Sequence, residues 1–310
     1  MALLEAVKLT KVFRHQWTMR PIRAIEDVSL QMREGEILGL IGPNGAGKTT
    51  TIKLLLALLR PTRGRVTFNG MSVHRPRARQ AMGFLPEQPY FYDYLTVEET
   101  LHFYGQLCGL SIGDRRSRIS ELVDRLQLGA LLQRPVRQLS KGNLQRVGVA
   151  QAIIHRPKVA ILDEPMSGLD PIGRKEMREL IAGLRTEGTA VVFSSHILPD
   201  AEALCDRVAV LVGGHVREVV DVSSDRQTDG PFALTASGIP PATVQVLRRL
   251  ALAHSGADGQ WSFRLRDRAA LREAVQQVVA ANGFVEALAL ERQTLEDRFL
   301  AYMRDGTPAI

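Results

Sequence analysis

The 310-residue chain is 45% hydrophobic and carries a formal net charge of +7, apolar content enough for a core in one large domain or in one medium and one small domain. That charge permits an anionic membrane face or nucleic acid as a neighbour and demands neither, and the basic runs Arg75-Pro76-Arg77-Ala78-Arg79 and Arg115-Arg116-Ser117-Arg118 hold no aromatic rings to stack on bases, which argues against nucleic acid. Two distant cysteines, Cys108 and Cys205, fit a reducing cytoplasm better than a disulfide framework, no apolar run is long enough to span a bilayer, and Met1 to Leu9 lacks a secretory pattern, so a cytoplasmic location is expected.

In chain order, Leu4 to Val12 and Asp27 to Met32 read as strands of an antiparallel flank, with Phe13 and Trp17 between them as rings able to stack on a base. The apolar run Glu36 to Ile41 enters the loop Gly42-Pro43-Asn44-Gly45-Ala46-Gly47-Lys48-Thr49-Thr50, and Thr51 to Leu59 follows as a helix. Strand, glycine-rich loop and helix start make a hollow of backbone N–H groups at the positive end of a helix, which suits a polyphosphate. Lys48 adds a point charge for the β- and γ-phosphates, and the Thr49 hydroxyl can ligate the accompanying Mg²⁺.

Arg60 to Gly64 stops the helix, Arg65 to Gly70 is a short strand and turn, and Met82 to Pro86 is a strand running into Glu87-Gln88-Pro89. A glutamine at a strand end, here Gln88, can coordinate a metal and orient a water. From Thr96 to Gln133 the pattern is helical, opening on the capping box Thr96-Val97-Glu98-Glu99. Ser140 and Gly142 precede the helical run Val147 to His155 and read as a second anion-binding terminus, a pattern that an N-cap alone also produces. Lys158 to Pro165 is an apolar strand closing on two carboxylates: Asp163 can hold Mg²⁺ through its water shell, and Glu164 can orient or deprotonate an attacking water. Ser167 to Pro171 is a turn, Ile172 to Arg185 a helix, and Thr189 to His196 a strand ending on a histidine.

In this order and spacing the motifs resemble those of an ATP-binding cassette (ABC) ATPase, the nucleotide-binding subunit of an ABC transporter, over roughly the first 220 residues. Gly42 to Thr49 matches the Walker A motif, Gln88 the Q-loop, Leu139 to Asn143 the signature, Asp163 and Glu164 Walker B with its catalytic glutamate, Ser167 to Asp170 the D-loop, and His196 the switch histidine. The resemblance implies ATP held by Gly42, Pro43, Asn44, Gly45, Ala46, Gly47, Lys48, Thr49 and Thr50, Mg²⁺ held with Thr49, Gln88 and Asp163, and hydrolysis by Glu164, His196, Gln88 and Lys48. It also implies two cassettes, most simply a homodimer, closing head to tail so that Ser140 and Gly142 reach the γ-phosphate bound by the partner, and a separate membrane permease that holds the pair at the inner face of the membrane. The family's adenine platform falls at Phe13, with Trp17 the alternative. The common Leu-Ser-Gly-Gly-Gln stands here as Leu139-Ser140-Lys141-Gly142-Asn143, which adds a cation beside a phosphate site and shortens one interface side chain.

The expected fold is α/β: a P-loop NTPase of the ABC type over 1–222, with a mixed sheet core, an antiparallel β flank and an inserted helical subdomain at about 89–155. A polar linker over 223–231 leads to a small accessory α/β domain over 232–310, in which Phe232 to Ala236, Trp261 to Arg266 and Phe284 to Leu290 read as strands and Pro241 to Ala251, Arg268 to Ala281 and Thr294 to Met303 as helices. This tail resembles the extension of single-cassette ATPases that drive ABC-2-type exporters. A soluble ABC protein acting on ribosomes or nucleic acid is the alternative, but such relatives carry two cassettes or a long coiled-coil insertion. A GTPase is disfavoured because no Asn-Lys-x-Asp motif occurs.

Overall fold

The computed structural model describes residues 2–15, 18–222, 231–257, 259–290 and 295–305. The chain divides into two compact units, Met1–Val222 with Phe299–Ile310, and Ser223–Arg298.

The first unit runs β1 (Leu4–Arg14), β2 (Pro21–Met32), β3 (Ile37–Ile41), α1 (Lys48–Leu55), β4 (Arg63–Phe68), β5 (Met71–Ser72), α2 (Pro76–Arg79) and β6 (Met82–Leu85). It continues with α3 (Val97–Leu107), α4 (Ile112–Arg125), α5 (Lys141–Ile153), β7 (Val159–Leu162), α6 (Pro171–Thr186), β8 (Ala190–Ser195), α7 (Leu198–Leu204), β9 (Arg207–Val212) and β10 (His215–Asp221). Every residue of β3, β7 and β8 is buried, as continuous apolar runs covered on both faces require. They form the middle of a six-stranded sheet ordered β10-β9-β3-β8-β7-β6, parallel except for β10 at its edge. An antiparallel sheet ordered β2-β1-β4-β5 lies over it, and Leu9, Ile25, Leu40, Ile52 and Val192 belong to the core shared by the two sheets and α1.

Several boundaries differ from the sequence reading, among them the start of α5, at Lys141 instead of Val147, and the two that follow. Helix α1 starts at Lys48, because the loop turns directly into it, and stops at Leu55, where Ala57 enters the left-handed region (φ 56°) and the N–H groups of Leu58 and Leu59 both turn back to the Lys53 carbonyl. Strand β2 starts six residues early, at Pro21, paired with Arg14 of β1; its first half exposes Arg23 and hides the apolar alternation that marks Asp27 to Met32.

The helical lobe is stapled locally. Thr96 Oγ1 accepts from Glu99 N at 3.2 Å while Glu99 Oε2 accepts from Thr96 N at 2.8 Å, so the capping box is formed. The buried guanidinium of Arg118 donates to the carbonyls of Ile153 (2.8 Å) and Ile154 (3.3 Å), placing a cation on the negative end of α5. Within the first unit the Tyr302 hydroxyl donates to Glu218 of β10 at 2.9 Å.

The second unit is β11 (Phe232–Ser237), α8 (Pro241–Leu250), β12 (Ala251–Ala257), β13 (Gln260–Leu265), α9 (Arg268–Ala280) and β14 (Phe284–Leu290), with α10 (Leu295–Asp305) after it. Its antiparallel sheet is ordered β12-β13-β11-β14, and Leu234, Phe263 and Leu265 pack with Leu247 of α8 and Ala274 and Val278 of α9. Strand β12 had no counterpart in the sequence reading: its composition, ALAHSGA, lacks β-branched residues and it lies at the sheet edge, mostly exposed. Residues 223–230 of the predicted linker over 223–231, the Thr294 start of the last helix and Trp17 lie outside the described residues.

Candidate functional site

Parallel pairing fixes where the chemistry gathers. Leu85 pairs with Leu162, Leu162 with Phe193 and Ile41 with Ser195, so Gly42, Gln88, Asp163, Glu164 and His196 all follow the carboxyl ends of neighbouring strands, the edge at which open α/β sheets bind ligands.

The loop before α1 is shaped by backbone. Gly47 sits at φ 102°, and a Cβ there would lie 2.5 Å from Ile25 Cγ2 and 2.8 Å from Ala24 O, so only glycine lets the loop rest on β2. Ala46 N donates to Pro43 O at 3.2 Å, the buried Thr51 hydroxyl donates to Gly47 O at 2.9 Å, and the first turn of α1 contains no acidic residue. The positive end of the helix therefore has no side-chain carboxylate of its own to neutralise it.

Lys48 is buried and folded back on that loop, its Nζ donating to Gly42 O at 2.8 Å and Pro43 O at 3.3 Å. The same ammonium lies 3.2 Å from Glu164 Oε1, an ion-pair distance without hydrogen-bond alignment, so that buried oxygen has no hydrogen-bond partner. Glu164 Oε2 is 2.9 Å from His196 Nδ1, which must carry the proton because a carboxylate can only accept. Glu164 occupies the left-handed region at φ 49°, a conformation that β-carbon sterics disfavour and that surrounding contacts must hold.

The contact that holds it comes from a residue the sequence reading passed over. Ser194 of β8 is fully buried; its Oγ donates to Asp163 Oδ1 at 2.6 Å and accepts from Glu164 N at 2.8 Å. The available signal was the pair of hydroxyls, Ser194 and Ser195, closing a buried strand that is otherwise apolar, since such groups have to find partners among whatever ends beside them.

A second group of predicted residues lies on another surface. Ser140 is exposed and caps α5, accepting from Asn143 N at 3.3 Å; Asp170 caps α6, accepting from Gly173 N at 2.8 Å. Ser140, Lys141, Gly142, Gly168, Leu169 and Asp170 share a cavity of about 660 Å³ whose lining includes none of Lys48, Asp163, Glu164 and His196. The Lys141 side chain lies across Gly168, which has φ 70° and whose missing side chain leaves that path open. Gln88 is exposed in the loop after β6. Phe13 is 38% exposed near the end of β1, its ring 5.1 Å from Lys11 Nζ.

The first group suits a polyphosphate with a small hard cation. Thr49 offers a half-buried hydroxyl, Asp163 a carboxylate already fixed by one hydrogen bond, and Glu164 Oε1 a buried oxygen still without one. Among the described residues no three or more His, Cys, Asp or Glu side chains cluster as a metal cage, so a cation here would share its shell with phosphate oxygens. Among them, too, no helix is long and apolar enough to cross a membrane.

Comparison with known proteins agrees with this geometry. Residues 25–167 match the family model described as ABC transporter. The chain is 36% identical over 307 residues to an uncharacterised ABC transporter ATP-binding protein of Synechocystis sp., covering 98% of this chain and 85% of that protein. It is 32% identical over 232 residues to the linearmycin resistance ATP-binding protein LnrL of Bacillus subtilis, covering 73% and 75%. Among solved structures, an ATP-binding subunit of an ABC transporter superposes with a TM-score of 0.64 at 32% identity over 73% of this chain and 92% of that one. An ATP-binding cassette in a dimeric post-hydrolysis state with ADP and Pi gives 0.65 at 25% identity, covering 71% and 98%.

Proposed function

Because this chain belongs to the ATP-binding proteins of ABC transporters, we propose that it hydrolyses ATP to drive a separate permease of the ABC-2 exporter type. The observation that carries the reading is the array at the carboxyl edge of the sheet, in which the buried Lys48 and Glu164 and the exposed His196 touch in series and the buried Ser194 joins Glu164 to Asp163. Export is favoured by the second unit, which resembles the extension of single-cassette exporter ATPases, and by the resistance protein among the relatives.

In this reading the backbone of residues 42–50 wraps the phosphates of ATP, and Lys48 exchanges its contacts with Gly42 O, Pro43 O and Glu164 for the β- and γ-phosphates. Thr49, Asp163 and Gln88 would hold Mg²⁺, which would supply charge neutralisation at the phosphate oxygens. Glu164, released from Lys48, accepts the proton of the attacking water, and His196 keeps its carboxylate oriented. Phe13 stacks on the adenine. Two copies close head to tail, so that Ser140 and Gly142 of each cap the γ-phosphate held by the other, which accounts for their lying away from Lys48 within one chain. Tyr90, Tyr92 and Tyr94, exposed in the loop that carries Gln88, give the helical lobe an amphipathic face toward the permease.

The test is phosphate release from the purified chain, alone and with a candidate permease. Turnover that rises with the permease and falls at least about 100-fold in Glu164→Gln is expected. Unchanged turnover in that variant defeats the assignment of the base.

A further inference from the structure

Asp163 and Glu164 are adjacent in sequence yet need different treatment: one carboxylate has to be aimed, while the other residue has to be held in an unfavourable backbone conformation. Both tasks fall to one atom. Ser194 Oγ has a single proton and two lone pairs; it spends the proton on Asp163 Oδ1 at 2.6 Å and a lone pair on Glu164 N at 2.8 Å. Ser194 is 0% exposed, in a strand flanked by β3 and β7, so water cannot stand in for either bond.

We propose that Ser194 is a positioning residue for the nucleotide reaction. By engaging one oxygen of Asp163 it fixes the rotation of the carboxylate, so that the other oxygen is presented to a divalent cation in one direction; by accepting from Glu164 N it keeps that residue at φ 49°. Alanine at this position removes both bonds and leaves a buried carboxylate oxygen and a buried N–H without partners. The inference rests on the reading of Asp163 as the cation-side carboxylate.

The experiment is a Mn²⁺ titration of the purified chain loaded with one equivalent of ADP, the free ion followed by electron paramagnetic resonance, beside ADP affinity measured in EDTA. Ser194→Ala only removes an atom and makes no clash, so it carries the test. It is expected to weaken Mn²⁺ binding about tenfold, the effect of losing a group that orients a metal ligand, while ADP affinity in EDTA stays within about twofold of wild type. Ser194→Thr, which keeps the hydroxyl, is expected to bind Mn²⁺ as wild type does.

Asp163→Asn separates two kinds of failure. If it weakens Mn²⁺ binding and Ser194→Ala does not, the role given to Ser194 is wrong while the reading of Asp163 stands. If Asp163→Asn binds Mn²⁺ like wild type, the reading of Asp163 falls and the inference falls with it. A Ser194→Ala chain that also loses ADP in EDTA, or a Ser194→Thr chain no better than alanine, overturns the inference as well.

Discussion

Lys48 Nζ and Glu164 Oε1 lie 3.2 Å apart, with both side chains less than a tenth exposed, so the ammonium expected to hold phosphate is paired with the carboxylate expected to activate water. Nucleotide therefore has to compete with Glu164 for Lys48. Glu164→Gln removes the competing charge and should tighten ADP binding in EDTA about tenfold, measured by calorimetry, in a medium where neither metal nor hydrolysis contributes. With ATP and Mg²⁺ the same variant should accumulate closed dimers, visible as a doubled mass in sedimentation. ADP affinity equal to wild type would show that the pair costs nothing to open.

Lys48→Ala tests the other partner. The lysine also neutralises a buried Glu164, which keeps a hydrogen bond from His196 Nδ1 at 2.9 Å. Losing one partner of a buried pair costs about 3–5 kcal/mol when the charge is stranded, and His196 should hold the loss to the low end. The variant is expected to melt several degrees lower and to bind no ATP at concentrations that saturate wild type. Lys48→Met, which keeps the apolar stem but also lacks the charge, should recover only the packing part of the melting temperature and none of the binding.

Lys141 is the residue that departs from the common signature. Its side chain runs across Gly168 and lines the same cavity as Ser140 and Asp170. If two copies close as proposed, its charge faces the partner's phosphates. Lys141→Gly should then weaken ATP-driven dimerisation of the Glu164→Gln chain by about 0.5–1 kcal/mol, and the difference should shrink as salt rises, as exposed charges require. A difference independent of salt would assign Lys141 to packing on Gly168 instead.

These outcomes bear on what a linear sequence can carry. The loop over 42–50 was legible because its glycines, its lysine and the apolar run before it are all local, and the same holds for the carboxylates that close β7. The Lys48–Glu164 contact was not legible, since it depends on which strand ends adjoin in the parallel sheet. Ser194 was hidden for a related reason: inside a buried strand a serine reads as filler until its neighbour β7 is known to end on Asp163. Strand β12 failed on composition, because an exposed edge of small residues buries too little to leave a pattern.

The last prediction concerns acid stability, which a residue outside the site should help to set. His155 Nε2 lies 3.1 Å from the Met82 carbonyl, and its Nδ1 is buried without a hydrogen-bond partner. A carbonyl can only accept, so Nε2 carries a proton; with its pKa lowered, the buried ring has none on Nδ1 near neutral pH. Burial pushes its pKa down from the usual histidine value; the Met82 carbonyl pulls it part of the way back, and the nearby Arg118 charge adds to the depression. In the unfolded chain His155 takes up a proton as pH falls through roughly 6.5. The folded chain does so only at lower pH, so between those two values the unfolded state binds more protons and folding stability declines as pH drops. Below the folded-state pKa the decline from this residue levels off. His155→Gln keeps a donor for Met82 O and does not titrate. Thermal unfolding of the two chains from pH 8 to pH 5 should therefore show similar behaviour at the alkaline end and a shallower acid decline for the variant. Parallel curves would mean that His155 titrates alike in both states.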